Sequence, residues 1–389
     1  MQNLSRLSLL LLVAGVILVG ANAFVLSPIL GDVARDLDTD PTRVARAISA
    51  FGVATAFSAF SFAGMVDRWG PRRVLSLGAL LVAVAQIIGA ASQSWQVLAA
   101  SQLLAGLAVG VMLPATYSTA TRTAAPGQET AQLGKVLTGW AVSLVAAVPL
   151  SAFITAHFGW RAIYGLLAAL SLAVALGFAL RMPALARPAA EGLEAGPRLN
   201  PLQALRLPGV KRILFVCLLF MTAFYGSFSY FGEGIRAAFG GGAATAGLYV
   251  MYYGIGFGLS GALIGKLGSV RARRAMIVLL LCIALNYVAM SFSLGHGLVM
   301  ALSVGVWGFL NQFGLNAIIV LLNRAAPAAG GAVMGLHSTV TYLAVFLGPY
   351  LMSFVFRQSG FAPIPAIAGG LILVSSIFLL LSPRETEQG

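Results

Sequence analysis

Three ionisable side chains fall in or at the mouth of long apolar stretches, where charge is costly and functional by default. They are Glu233, His337 and Asp32. A carboxylate or imidazole so placed can take up and release a proton, the imidazole within the working pH range. Each also has a structural reading: Glu233 has Arg236 three residues on, close enough to pair on one helix face. A lone histidine among Ser and Thr is commonly just hydrogen-bonded. The same stretches hold uncharged polar residues: Asn22, Gln102, Thr116, Tyr117, Tyr225, Tyr230, Asn286, Asn311, Gln312, Asn316 and Tyr342. Tyr and Asn give apolar walls with a few directional hydrogen bonds, the make-up of a small-molecule pocket. Asn311 and Asn316 do not share a helix face, so part of the Asn311, Gln312 and Asn316 set must bond neighbouring helices. Tyr249, Tyr252 and Tyr253 read as packing aromatics.

Other chemistries find no residues. There is no Walker-type phosphate loop, no Ser-His-Asp set, no metal-ligand spacing and no paired carboxylates. Neither ATP use, a cofactor nor an intramembrane enzyme is expected. Cys217 and Cys282 sit in apolar runs and read as packing residues. With 59% apolar and 9% charged residues in 389, and a mean hydropathy of +0.92, a soluble globular chain is excluded.

The apolar runs supply the elements that must position these groups. Twelve are expected, at roughly 8–30, 44–65, 74–92, 96–120, 134–156, 161–181, 212–235, 244–266, 275–295, 298–322, 331–355 and 363–381. Each can cross a hydrocarbon core of about 30 Å as a helix. Arg6, the run from Leu7 and Ala21-Asn22-Ala23 imitate a cleavable signal peptide. The run continues to Leu30, however, and further spans follow, so it is read as the first span. With the N-terminus inside, 18 of the 24 Lys and Arg fall on the cytoplasmic side, as the positive-inside rule asks. The net charge of +13 therefore reads as topology, not as a nucleic-acid surface. Both termini are expected in the cytoplasm, and a loop from Asp32 to Arg43 with four aspartates outside. The polar stretch 182–210 divides the spans six and six: an N-terminal bundle (1–181), a linker (182–210), which holds a short surface helix over 200–205, and a C-terminal bundle (211–389).

Between the second and third spans lies Gly64-Met65-Val66-Asp67-Arg68-Trp69-Gly70-Pro71-Arg72-Arg73. Gly64 permits close helix approach, and Asp67 can accept from backbone N–H groups or an Arg. Gly70-Pro71 breaks the helix, and Arg72 and Arg73 stay at the headgroups. An ordinary topology-setting loop would also fit. Half a chain later Gly265-Lys266-Leu267-Gly268 precedes Arg271, Arg273 and Arg274, and Pro149 is echoed by Gly348-Pro349. Two motifs repeating at that offset indicate a duplicated six-helix unit.

The G-x-x-D-R-x-G-x-R-R loop, the twelve spans and the repeat resemble the major facilitator superfamily. Phe24 to Leu37, the glycines and proline of the fourth span (Gly106, Gly110, Pro114), and Gly139 through Val148-Pro149-Leu150 to Gly159-Trp160-Arg161 are similar to its twelve-helix drug:proton antiporter branch, which includes sugar and nucleobase exporters. Three positions depart from that branch. Its acidic residue before Phe24 is Ala23, its arginine four residues before Gly106, linked there to proton movement, is Gln102, and its basic residue after Glu129 is Thr130. Pro149 removes one helical hydrogen bond and bends the fifth span. Small neighbours let that span press on a partner across the halves and seal against leak.

The resemblance implies an all-α membrane protein of two pseudo-symmetric six-helix bundles around a mid-membrane site. It implies a monomeric secondary transporter of the bacterial inner membrane, exporting a small organic or amphipathic solute with protons as the coupling ion. Gly64, Asp67, Arg68, Gly70, Arg72, Arg73 and Pro149 are expected to gate it. Asp67 with Arg72, Arg73 and the Gly265–Arg274 loop would latch the inward side. Uptake or facilitated diffusion suits the sparse acidic residues as well, and a non-transporting sensor is a third possibility.

Overall fold

In hydrocarbon a chain satisfies its own backbone by closing each run into a helix, and apolar runs of this length dictate the architecture. The computed structural model describes residues 6–62, 65–125, 127–182, 201–267, 273–326 and 329–381, and all regular structure among them is helical. In order these are α1 (Arg6–Phe24), α2 (Leu26–Asp36), α3 (Pro41–Ser61), α4 (Met65–Trp69), α5 (Pro71–Ala90), α6 (Trp95–Arg122) and α7 (Glu129–Val142). A π turn (Ser143–Ala147) then leads into α8 (Val148–Phe158) and α9 (Trp160–Arg181). The second part holds α10 (Pro201–Ala204), α11 (Val210–Phe239), α12 (Ala243–Leu267), α13 (Arg273–Phe292), α14 (Gly297–Ala325), α15 (Gly330–Ser359) and α16 (Ile364–Leu381). Among the described residues twelve stretches are long and apolar enough to cross a membrane, α7 to α8 counting as one.

Local chemistry sets the ends. Asp40 caps α3 by accepting from Arg43 N at 3.0 Å, with Pro41 in the first turn. Gly159 adopts φ +79°, a left-handed conformation natural to glycine, and so joins α8 to α9 through a single residue.

Three expectations are corrected. The first span is not one helix: it breaks at Val25, because Pro28 has no N–H to offer the Phe24 carbonyl. The aspartate-rich loop is mostly helix, since α2 runs to Asp36 and leaves only Leu37–Asp40 as a turn. The fifth span changes helix type before Pro149, in the π turn, and Pro149 itself occupies the opening turn of α8. Much of the linker, 183–200, lies outside the described residues. Its surface helix is the single turn α10, which packs on α15 with Ala204 buried.

Within the first six spans α3 packs on α6, α5 on α6 and α9, and α1 on α7. Within the second, α12 packs on α14, α13 on α16, and α11 on α15 and α16. The two sixes meet through α2 on α11, α3 on α15, and α8 with the π turn on α12. By contrast, the principal neighbours of α6 and of α14 all belong to their own six. One end of the assembly carries Asp32, Asp36 and Asp40 (called the acidic end for these aspartates), together with Arg35, Arg43, Arg46, Arg161, Arg236 and Arg357. The opposite end carries Arg72, Arg73, Arg122, Lys135, Lys211, Arg212 and Arg324 (the basic end). Large apolar side chains such as Leu285, Phe292, Leu298 and Leu176 are exposed around the girth, as a surface facing lipid requires. Inside, no Asp, Glu, Lys or Arg is buried among the described residues. The buried polar set is Ser, Thr, Asn and Gln, with His337.

Candidate functional site

At the acidic end α2 presents Ser27, Pro28, Gly31 and Asp32, positions i, i+1, i+4 and i+5, on one face. Against them α11 sets Phe228, Gly232, Glu233 and Arg236. Ser27 Oγ donates to the Phe228 carbonyl, and Gly31 N donates to Glu233 Oε1 at 2.8 Å. Arg236 grips Asp32 with both terminal nitrogens, Nη1 at 3.2 Å from Oδ1, and donates to the Pro28 carbonyl at 3.1 Å. Asp32 also takes Arg35 at 2.7 Å. The pairing expected within α11 is the weak member of this set. Arg236 Nε stands 3.4 Å from Glu233 Oε1, a charge contact without hydrogen-bond alignment. Gly31 is required sterically, because a Cβ there would lie 2.5 and 2.6 Å from the Glu233 oxygens. A cavity of about 330 Å³ opens beside the clasp, lined by Gly31, Ala34, Arg35, Thr39, Glu233 and Arg236 among others. Asp36, at the end of α2, accepts from Trp160 Nε1 at 3.0 Å and pairs with Arg161. Burial acts to raise its pKa, but those two partners hold it below the usual carboxylate range.

Deeper in, two uncharged groups of polar residues stand on either side of the midline. In the first six, Gln86 Nε2 donates to Asn22 Oδ1 at 2.6 Å. Asn22 Nδ2 donates to Gln102 Oε1 at 3.2 Å, and Gln102 Nε2 reaches the Tyr164 hydroxyl at 3.4 Å. In the second six, Asn311 Nδ2 donates to Tyr253 OH at 2.9 Å and Asn286 Nδ2 to the Ser303 carbonyl at 3.2 Å. Between them Phe24 lies parallel to Tyr225 (11°, centroids 6.2 Å) and edge-on to Trp140 (67°, 6.0 Å), and Phe51 meets Tyr342 edge-on at 6.4 Å. Trp140 Nε1 donates to Tyr117 OH at 2.8 Å.

The predicted residues therefore scatter. Tyr117, Tyr225 and Tyr342 gather at the centre. Gln312 and Asn316 are half-buried on α14, and Gln312 Oε1 and Asn311 Oδ1 have no partner. His337 is buried on α15 with Nε2 unpartnered. Tyr230 belongs to packing instead: its hydroxyl donates to the Pro349 carbonyl at 3.1 Å and its ring stacks on Phe356. At the basic end Arg68, Arg72 and Arg73 are exposed, and Gly70 turns the chain into α5 at φ +77°. Gly64, the Asp67 side chain and 268–272 lie outside the described residues, so the expected inward latch does too. Residues missed from sequence include Gln86 and Tyr164, whose partners are remote in the chain, and Phe24 and Trp140, which resemble any lipid-facing aromatic.

The Asn22 network gives a direct prediction. In Gln102→Leu, Asn22 Nδ2 and the Tyr164 hydroxyl lose their partner in a buried site, which costs about 1–3 kcal/mol. Thermal unfolding of the purified variant in detergent should show a clearly lower midpoint. An unchanged midpoint refutes a structural role for the network.

Twelve membrane-spanning helices in two facing sixes, clasped at one end around an aromatic, uncharged centre, define a transporter architecture rather than an enzyme. The comparisons agree. The Major Facilitator Superfamily profile matches residues 12–349: the chain belongs to this superfamily and is a membrane-transport protein. It is 26% identical over 385 residues to the MFS-type transporter YwfA of Bacillus subtilis (strain 168), covering 97% of this chain and 93% of that one. A chloramphenicol resistance protein of Streptomyces lividans is 26% identical over 384 residues, 98% of this chain and 96% of the relative. The crystal structure of the human organic anion transporter MFSD10 (TETRAN) superposes with a TM-score of 0.69 over 96% of this chain and 99% of that chain, at 16% identity. That likeness concerns the fold.

Proposed function

We propose that this chain is a monomeric secondary transporter of a bacterial inner membrane, with both termini cytoplasmic. It exports small organic, amphipathic solutes by alternating access, with protons as the coupling ion. The carrying observation is the clasp of α2 on α11 at the acidic end, and in addition α6 and α14 find their main partners within their own sixes. With the acidic end outside, this is the state that loads solute from the cytoplasm. The relative named for chloramphenicol resistance supports export, and the concentration of Arg and Lys at the basic end supports the orientation.

Glu233 is the favoured proton carrier, because its carboxylate both receives Gly31 N across the halves and lines the cavity beside the clasp. Purified protein in liposomes under an imposed pH gradient, with chloramphenicol as probe, tests the reading. Glu233→Gln should lower gradient-driven flux at least tenfold while leaving exchange without a gradient nearly intact. His337→Gln is the companion measurement. If proton-driven flux survives both substitutions, neither residue is the coupling group.

A second reading has its own support. Gln102 and Asn22 pair as neutral amides, and no carboxylate is buried among the described residues, which suits facilitated diffusion or uptake. Flux indifferent to the gradient in the unmodified protein selects it.

A further inference from the structure

We propose that the aromatic centre between the two sixes is a receptor for uncharged, planar aromatic solutes that carry hydrogen-bond acceptors, held by Tyr117, Tyr225 and Tyr342 with ring contacts from Phe24 and Trp140. This rests on the transporter reading above and specifies its solute.

The three phenols come from α6, α11 and α15, so they span both sixes: Phe24 stacks on Tyr225 and meets Trp140, which donates to Tyr117, and Phe51 of α3 meets Tyr342. Their hydroxyls are free to donate outward. Tyr117 oxygen already accepts from Trp140, which leaves its own proton for another acceptor. The hydroxyls of Tyr225 and Tyr342 bond no other described residue, and at 8% exposure neither side chain is sealed off. Three unspent O–H donors among aromatic faces favour a flat ligand with acceptors at its edges.

Charge decides the rest. No Asp, Glu, Lys or Arg is buried among the described residues, and the rings that meet Tyr225 and Tyr342 are Phe24, Phe224 and Phe51. His337 precedes Tyr342 by five residues, about 140° around the helix, so the two side chains leave α15 on different faces. An ion entering here would shed water without meeting a counter-charge. For a cation, the ring faces return part of that cost, and no carboxylate is buried among the described residues to return the rest.

The test uses the full chain in lipid nanodiscs and three bicyclic probes of similar size: 7-methoxycoumarin (neutral), N-methylquinolinium (cation) and 2-naphthoate (anion). Binding is read by calorimetry. The neutral probe should bind at least tenfold more tightly than either ion. The double variant Tyr225→Phe with Tyr342→Phe, which keeps both rings, should weaken it about tenfold without lowering the unfolding midpoint. Equal or tighter binding of an ion overturns the solute class while leaving the transporter reading intact. Failure of the neutral probe to bind, or indifference to the double variant, overturns the receptor assignment. The transporter reading fails separately, if no probe of any charge enters proteoliposomes holding the protein faster than it enters protein-free liposomes.

Discussion

Arg236→Ala should open the acidic end. In that variant Asp32 keeps only Arg35, whose side chain is 72% exposed, and an exposed pair contributes about 0–1 kcal/mol. The lost pair is worth more, because Arg236 is 11% and Asp32 25% exposed and the same guanidinium also holds the Pro28 carbonyl. Breaking a fully buried pair costs about 3–5 kcal/mol. Discounted for the partial exposure of Asp32, about 2 kcal/mol is a reasonable shift, close to a thirtyfold change in the ratio of the two states. The readout is chemical. With Cys217 and Cys282 replaced by serine, a thiol introduced by Ala34→Cys reports on the cavity beside the clasp, where Ala34 is buried. A membrane-impermeant maleimide added from the acidic side should label it at least tenfold faster when Arg236→Ala is also present. Solute flux from the basic side should fall by a similar factor. An unchanged labelling rate means the clasp does not hold this end shut.

That clasp shows where sequence reading reaches and where it stops. The spans were legible because bilayer thickness and the cost of bare backbone leave few alternatives. The helical character of 26–37 was also on display. Leu26, Ile29, Leu30, Val33, Ala34 and Leu37 follow a 3.6-residue period, but the aspartates interleaved with them suggested a loop. Glu233 was legible as a group out of place, and its partner was not. Gly31 lies 202 residues away, beyond any spacing rule, and its contribution is a backbone N–H that no side-chain inventory records. Among the tyrosines, residue type alone could not separate the central Tyr225 from the packed Tyr230. Five residues turn a helix by about 140°, so one meets Phe24 across the halves and the other meets α15. The π turn before Pro149 was hidden for a similar reason. It depends on how α8 and α12 press together, with a Cβ on Gly254 lying 2.7 Å from the Leu144 carbonyl carbon.

Gly232→Val should lock the same end open, by steric means that leave the charges in place. A Cβ on Gly232 would overlap the Ser27 carbonyl oxygen and lie 2.7 Å from Pro28 Cα. The obstacle is backbone on every side, so no side chain can swing away to make room, and the branched valine adds a second carbon. Overpacking of this kind costs about 1–3 kcal/mol when neighbours can adjust, and more here. The strain, however, exists only while α2 and α11 touch, and vanishes in a state where they part. The variant should therefore fold, insert and purify with an unfolding midpoint near that of the unmodified protein, yet lose essentially all flux. The thiol from Ala34→Cys should then label at its limiting rate. Gly106→Val supplies the contrast. Its Cβ would meet Ala54 Cβ and Thr55 Oγ1 at 3.0 Å together with the Phe51 carbonyl. All of these belong to the same six helices and move with it in every state, so that variant should fold poorly whichever end is open. Glycines between the sixes then carry conformational balance, and glycines within one six carry stability. If Gly232→Val aggregates as Gly106→Val does, or transports normally, the two sixes do not separate along α2 and α11.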